Sequence, residues 1–384
     1  MTQAIWLKDL ASSLREFLAR LRHDGASFGF APALRGVTPA GARLLLGPSC
    51  LAAKTHVALG LWNVLSDKEK QQWIEFLQAF QYGGEKDLGP RLAGAFVDDT
   101  LLASLRRRYW RERWSQTVRG WLGIQAEAAE GSWKAPGMLQ RAILSETKQA
   151  IATLAEVGAA PRQPFRGFPL TADDARIYLA SFDWTQPWAA GAHFAIVCVF
   201  AATQSPLFLS QPQASSLIET LRAFSRSVLD PPTGAYFMGP SPAHGSLVNG
   251  AMKVLSGLDW IDEPIHEPER LIDTCLAQLP RSEGCHLVDA VYVLHRCLRQ
   301  TSHRRDEIRN YCAKVLDMIH AHYIPEDGGF SYNLGRSQTH YYGVPITQGL
   351  RAADIHGTAL LVWALAMIHE ILEAGFCDWR VNRP

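Results

Sequence analysis

Apolar residues recur at helical spacing along nearly the whole chain, and stretches that alternate apolar with polar over five or more positions hardly occur. Trp6, Leu7, Leu10, Leu14, Phe17, Leu18 and Leu21 form the first stripe. A stretch rich in glycine and proline, 25–48, separates it from a second helix over 52–65. Ser66, Asp67, Lys68 and Glu69 then spell a capping box that opens a helix over 70–80. Helices are predicted next over 100–121 and 138–157. From there the pattern grows more regular. A helix over 171–182 has Asp173 and Asp174 in its first turn, where carboxylates suit the helix dipole. Pro187 suits the first turn of a helix over 187–203. Further helices follow over 214–229, 247–258, 268–278, 286–300, 306–323 and 354–374. The total is roughly fourteen helices.

Many helices of similar length at similar spacing indicate an array of helical hairpins. The period is too loose for tetratricopeptide or ankyrin units, and the connections are not the short polar turns of a plain bundle. Two of them combine glycine with aromatic residues, from Asp230 to Tyr236 and from Asp327 to Tyr332. The predicted fold is an all-α, α/α toroid of six or seven helical hairpins in a closed ring. It forms a single domain over 1–384, with the main ring at 140–374 and a less regular helical part, 1–130, that completes or covers it. One mouth of such a ring gathers the loops and holds the pocket. His193, Asp230, Tyr236, Asn249, Asp289, Tyr341, Asp354 and His356 are expected there.

A family resemblance rests on two motifs. Asp327, Gly328, Gly329, Phe330 and Ser331 are followed, after a loop of roughly twenty residues, by Asp354, Ile355, His356, Gly357 and Thr358 at the head of an apolar helix. This resembles a repeat of the terpenoid cyclases and protein prenyltransferases. The turn from Asp230 to Tyr236 with the helix that follows is a weaker match, and the resemblance covers roughly 220–374. It implies the toroid class and leaves the reaction open, because glycosidases and polysaccharide lyases also use toroids.

Phe96, Val97, Asp98, Asp99 and Thr100 resemble the Asp-x-Asp-Asp-Thr motif of class II terpene cyclases, with Phe96 in place of the leading Asp. The resemblance implies Asp98 as proton donor to an alkene and Asp99 as the neighbour that keeps it protonated. The plain structural reading is that these residues cap the helix that follows. A prenyltransferase-like zinc would draw on Asp289 and His356, with Cys285 and His286 nearby, but Val291 occupies the position of the required thiolate. No metal and no cofactor are therefore expected. Trp184, Trp188 and His193 flank the start of an apolar helix; they serve either as packing or as a platform and acid–base group. Asn249 and Lys253 lie four apart, on one helical face that either lines the lumen or meets solvent. Arg336, His340, Tyr341, Tyr342 and Arg351 crowd the loop before Asp354. With Asn249 they also suit β-elimination from a uronate, where neutralising the carboxylate lets a tyrosinate or histidine abstract a proton.

Composition narrows the field. The chain has 384 residues, 38 Lys plus Arg against 37 Asp plus Glu, and 47% apolar residues. That is ample for a large core and gives no basic excess for nucleic acid. No uninterrupted apolar run approaches the roughly 18–20 residues of a membrane span. The N-terminus lacks the pattern of a secretory signal, so a cytoplasmic location is expected. The seven cysteines are scattered, which favours free thiols. The basic run from Arg106 to Arg111 reads as a solvated helix face or a phosphate contact. The leading expectation is a terpenoid-cyclase-like enzyme acting on an apolar isoprenoid. One alternative is an intracellular carbohydrate-active toroid, lyase or glycosidase; another is a non-catalytic toroid that binds a ligand or protein. In each case the partner is a small molecule or a protein. A dry aromatic cavity with one carboxyl would favour the first, a polar groove with Arg, His and Tyr the second, and a filled lumen the third.

Overall fold

The computed structural model describes residues 5–23, 28–83, 90–107, 136–374 and 378–384. The predicted helix over 100–121 is described to residue 107. Its remainder, with Arg108–Arg111 of the basic run, lies outside the described residues, as does Cys377.

The helices used below are α1 (Leu10–Leu21), α2 (Leu46–Ala58), α3 (Asp67–Gln78), α4 (99–107), α5 (Met138–Glu156), α6 (Ala172–Ala180), α7 (Pro187–Thr203), α8 (Gln211–Ser227), α9 (His244–Trp260), α10 (Pro268–Leu276), α11 (Gly284–Leu298), α12 (Arg305–His320) and α13 (Ile355–Leu372). Local signals fix several ends. Ser66 and Glu69 form the predicted capping box of α3, with Ser66 N–H donating to Glu69 Oε2 at 2.9 Å. Thr171 caps α6, and Pro187 occupies the first turn of α7.

Among the described residues, six helices make an inner ring. α2 packs on α5, α5 on α7, α7 on α9, α9 on α11, α11 on α13, and α13 back on α2. Between them in sequence run α1, α3, α6, α8, α10 and α12, which form the outer layer. The result is an α/α toroid of six outer–inner pairs. The two layers differ in composition for a physical reason. Inner helices touch neighbours on most sides, so α7 and α13 are apolar nearly all round and mostly buried. Outer helices are striped; α8 buries Leu217, Leu221 and Ser225, half-buries Ile218 and Phe224 beside them and turns its other face to solvent. By length and composition alone Pro187–Leu207 and Ile355–Leu372 could cross a membrane. Both are largely buried in the ring, which accounts for their apolarity. α2 is an inner helix and α1 and α3 lie outside it, so these N-terminal helices are part of the ring.

The strands among the described residues are three antiparallel hairpins: β1–β2 (Leu229–Asp230, Ala235–Tyr236), β3–β4 (Tyr323–Ile324, Gly329–Phe330) and β5–β6 (His340–Tyr341, Val344–Pro345). Each precedes an inner helix. Because the chain climbs an outer helix and descends an inner one, these hairpins share one end of the barrel, the mouth. Residues 378–384 cross the other end. Arg380 N–H donates to Ala58 O, Asn382 Nδ2 to Lys54 O, and the Trp363 and Trp260 indoles to the Asn382 and Pro384 carbonyls.

Candidate functional site

The motif residues are held by backbone. Asp327 accepts from Arg35 Nη2 at 3.0 Å and from Ala353 N at 2.8 Å. Gly328 sits at φ +80°, and a Cβ there would press on the Ser13 carbonyl. Asp354 caps α13 through Gly357 N (2.8 Å), and its other oxygen accepts from Tyr332 N (2.7 Å) and Gln338 N (3.1 Å). Burial pushes its carboxyl up to about 6, against those hydrogen bonds. Thr358 Oγ1 closes on the Phe330 backbone. The pair of motifs that resembles cyclases and prenyltransferases therefore staples a mouth hairpin to the head of an inner helix.

Asp98 is buried and similarly occupied. Its Oδ2 accepts from Leu45 N (2.8 Å) and Leu46 N (3.2 Å), capping α2, and its Oδ1 accepts from Thr100 N (2.8 Å), capping α4. Asp99 is exposed. Both border a cleft with Arg43, Phe76 and Tyr82 at the end of α3, apart from the lumen. The acid geometry expected from the cyclase resemblance, a carboxyl free to face an aromatic cavity, is absent at Asp98.

Other expected residues fall between the layers. His193 stacks on Phe182 at 4.3 Å and meets the Tyr178 hydroxyl at 3.3 Å, both on the α6 side. Burial pushes its pKa down to about 4. Trp184 is buried against Phe224, its indole donating to Leu179 O. Asp230 is spent on Thr233 within its turn, and the buried Tyr236 hydroxyl meets His266 Nδ1. These positions share the mouth's end of the chain path but point away from the lumen. Trp188, in the first turn of α7, is 54% exposed at the rim, and His340 is exposed beside Thr339.

The lumen holds a cavity of about 270 Å³. Lys54 of α2, Lys148 and Gln149 of α5, Lys253 of α9 and His356 of α13 line it, with Tyr342 at the mouth and Asn382 and Arg383 at the closed end. Leu51, Met252, Leu360 and Trp363 supply apolar wall. No carboxylate side chain lines this cavity among the described residues. His356 Nδ1 lies 2.9 Å from Gln338 Oε1, and its ring is 5.0 Å from Tyr332. Burial and then the Lys253 charge push its pKa down to about 4, so the ring is neutral at pH 7. With Nδ1–H donating to Gln338, Nε2 is left as a base. Burial likewise lowers Lys54, and Lys148 well below the ordinary lysine range, where Lys54 and Lys253 add repulsion.

Two polar clusters back the lumen. On α11, Asp289 is buried with Oδ2 unpaired among the described residues, pushed up to about 6 by burial and drawn back by Lys253. Asn249 bonds His286 Nδ1 at 2.7 Å. Among the described residues no three His, Cys, Asp or Glu side chains are grouped to hold a metal, so Cys285, His286, Asp289 and His356 do not assemble into a zinc site. Beneath the β5–β6 hairpin, Glu146 of α5 is buried and accepts from Asp98 N at 3.2 Å. Burial and the Asp98 charge push its carboxyl up to about 8, with the Tyr341 hydroxyl beside it. Tyr341 fits because position 47 is glycine, where a Cβ would overlap its hydroxyl. Tyr342, T-shaped to Tyr341 at 4.5 Å, holds φ +45° at the tip of the hairpin. A bulky residue in that region is strained, and such strain concentrates at working sites.

Sequence reasoning missed Lys54, Lys148, Gln149 and Glu146. A signal existed for Lys54, the one Lys or Arg among the mostly small and apolar residues of α2, whereas α5 also carries Arg141 and flanks Lys148 with Thr147 and Gln149. It becomes legible only when the helix is known to be in the inner ring.

No family model matches the chain, and no curated protein matches it. Among solved structures, a polysaccharide lyase, BACCELL_00875, superposes with a TM-score of 0.51 at 12% identity, over 97% of this chain and 99% of that one. An inactive variant of an α-1,6-mannanase of Salegentibacter sp. HEL1_6, in complex with α-1,6-mannotetrose, gives a TM-score of 0.42 at 9% identity, over 95% and 98%. The first likeness shows the α/α-toroid fold; neither neighbour is a terpenoid cyclase or a prenyltransferase.

Proposed function

We propose that the protein is a carbohydrate-active toroid that cleaves a uronate-containing saccharide by β-elimination in the lumen. The carrying observation is the cavity lining: a neutral histidine, a tyrosine and several cations, with no carboxylate side chain among the described residues. Glycoside hydrolysis ordinarily needs two carboxyl groups facing each other across the bond, and an isoprenoid cyclase needs an acid in an aromatic cavity. This lining supports neither. The fold-level likeness to a polysaccharide lyase agrees with the reading.

In this reading Lys253 neutralises the substrate carboxylate, which acidifies the adjacent C5–H. His356 Nε2 removes that proton. The electron pair forms the C4=C5 double bond as the C4–O4 bond breaks, and the Tyr342 hydroxyl donates a proton to the departing O4. The bound carboxylate also offsets the Lys253 charge that holds the His356 pKa down, so substrate makes its own base stronger. Trp188 at the rim offers a face for a further sugar ring.

The test is incubation with 1→4-linked oligouronates. Elimination yields a conjugated unsaturated uronate, read by ultraviolet absorbance, with one new reducing end per double bond. New reducing ends without absorbance would mean hydrolysis. Turnover of a linear isoprenoid with none of uronates would restore the cyclase reading.

A further inference from the structure

The closed end of the lumen holds more positive charge than a single neutralised carboxylate requires. Arg383 is engaged with Asp262 at 3.2 Å and lies over the Trp260 ring. Lys54 donates to the Arg383 carbonyl at 3.2 Å and feels Glu156. Lys253 faces Asp289. Lys148 is different. Among the described residues it makes no hydrogen bond or salt bridge, and the charges that act on it after burial itself are the cations Lys54 and Lys253, with Arg383 lining the same cavity. A secluded ammonium group without a counter-charge is costly. Nothing in the packing demands a lysine, since Gln149, Met252 and Leu360 line the same cavity. The enclosure also matters. Residues 378–384 cross one end, which leaves the Tyr342 side as the entrance. About 270 Å³ is just below the roughly 300–1,000 Å³ of pockets for drug-sized ligands, which suits one sugar unit.

We propose that Lys148, with Lys54 and Lys253 beside it, forms an anion subsite at the blind end of the lumen that receives the carboxylate or sulfate of one saccharide unit. This rests on the carbohydrate reading above; the subsite shares Lys253 with the elimination chemistry and adds Lys148 and Lys54, which that chemistry does not use. Because burial and two neighbouring cations disfavour the ammonium form in the empty lumen, anion binding there is accompanied by proton uptake.

The experiment is titration calorimetry of the full chain with D-glucuronate, glucose 6-sulfate and glucose, in two buffers of different ionisation enthalpy. The expected result is binding of one or both anions at least tenfold tighter than glucose, with proton uptake near pH 8. Lys148→Met should lose at least tenfold in anion affinity, and Lys148→Arg should keep the preference. Preference for glucuronate alone identifies a carboxylate subsite, and preference for the sulfate ester alone a sulfate subsite. Equal affinity for glucose and both anions in the unaltered protein overturns the proposal, and so does unchanged anion affinity in a folded Lys148→Met. Should Lys148→Met not fold, Lys148→Gln and the three-ligand comparison decide. Anion binding without any elimination would sink the lyase reading and leave this subsite standing. Elimination that persists in Lys148→Met with unchanged anion affinity would do the reverse.

Discussion

The lumen and the wall around it use the same kinds of residue in opposite ways. In the wall, Asp98, Asp327 and Asp354 each have both carboxylate oxygens taken, mostly by backbone N–H groups. His193 stacks on Phe182 and meets the Tyr178 hydroxyl through Nδ1. In the lumen, Lys148 has no partner among the described residues, and His356 presents a nitrogen to open volume. Satisfied polar groups build; unsatisfied ones facing a cavity are available to a ligand. The motifs that look most like chemistry in the sequence belong to the first group.

The sharpest way to break this contrast is His356. On the proposed reading it is the base, and His356→Ala should lower kcat on an oligouronate by roughly 10²–10⁴ with little change in melting temperature. His193→Ala, the wall histidine, should do the opposite: it leaves a void between layers at a stability cost of about 2–4 kcal/mol, while kcat of the folded protein holds. Equal kinetic damage from both would end the distinction. The pH profile adds a check. A base held near 4 in the free enzyme should keep kcat/KM flat from pH 7 down to about 5 in intact protein.

Glu146 sharpens the comparison from between the two regions, since it is buried like the wall carboxylates but has Oε1 unpaired among the described residues. Its folded pKa, about 8, exceeds the ordinary 4.5. Between those values the unfolded chain has lost the proton that the folded chain keeps, so stability falls as pH rises through that window. Glu146→Gln removes the titration. It should raise stability by on the order of 2–4 kcal/mol at pH 8–9 and change little at pH 5, as measured by denaturant melts at both pH values. A pH-independent gain or loss would mean that the carboxyl is not held protonated.

The toroid was legible because its cause is periodic. Inner helices must be apolar nearly all round and outer ones striped, and the helices after residue 171 fall within a few residues of where the pattern predicts them. The staple of Asp327 to Thr358 was legible for the same reason: its acceptors and glycines are required locally. The direction a side chain faces around a ring was not legible. Asn249 and Lys253 share a helical face in sequence, and the fold aims Lys253 at the cavity while Asn249 bonds His286. Lys54 and Lys148 sit more than ninety positions apart, and it is the packing of α2 on α5 that brings them to one space.

Asp98 tests the wall itself at a smaller scale. Asp98→Ala strands the Leu45, Leu46 and Thr100 N–H groups and should cost about 1–3 kcal/mol. Asp98→Asn keeps one acceptor oxygen and should cost less than half of that. Both should retain elimination activity per folded molecule. A folded Asp98→Asn without activity would return the proton-donor role to this residue.

The smallest expected effect is at Trp188, which stands outside both groups, exposed at the rim with no packing duty. If it is a sugar platform, its loss should matter only for substrates long enough to reach it. Trp188→Ala should leave stability within about 0.5 kcal/mol, as an exposed site away from special features does. It should raise KM for a longer oligouronate roughly two- to tenfold, the worth of about 0.5–1.5 kcal/mol for an aromatic contact, and leave D-glucuronate binding in the lumen unchanged. The two readouts separate rim from lumen within one protein. An equal rise for the long substrate and the single sugar would mean that Trp188 shapes the pocket from behind. No rise for either would return Trp188 to the ordinary exposed hydrophobics and confine recognition to the lumen.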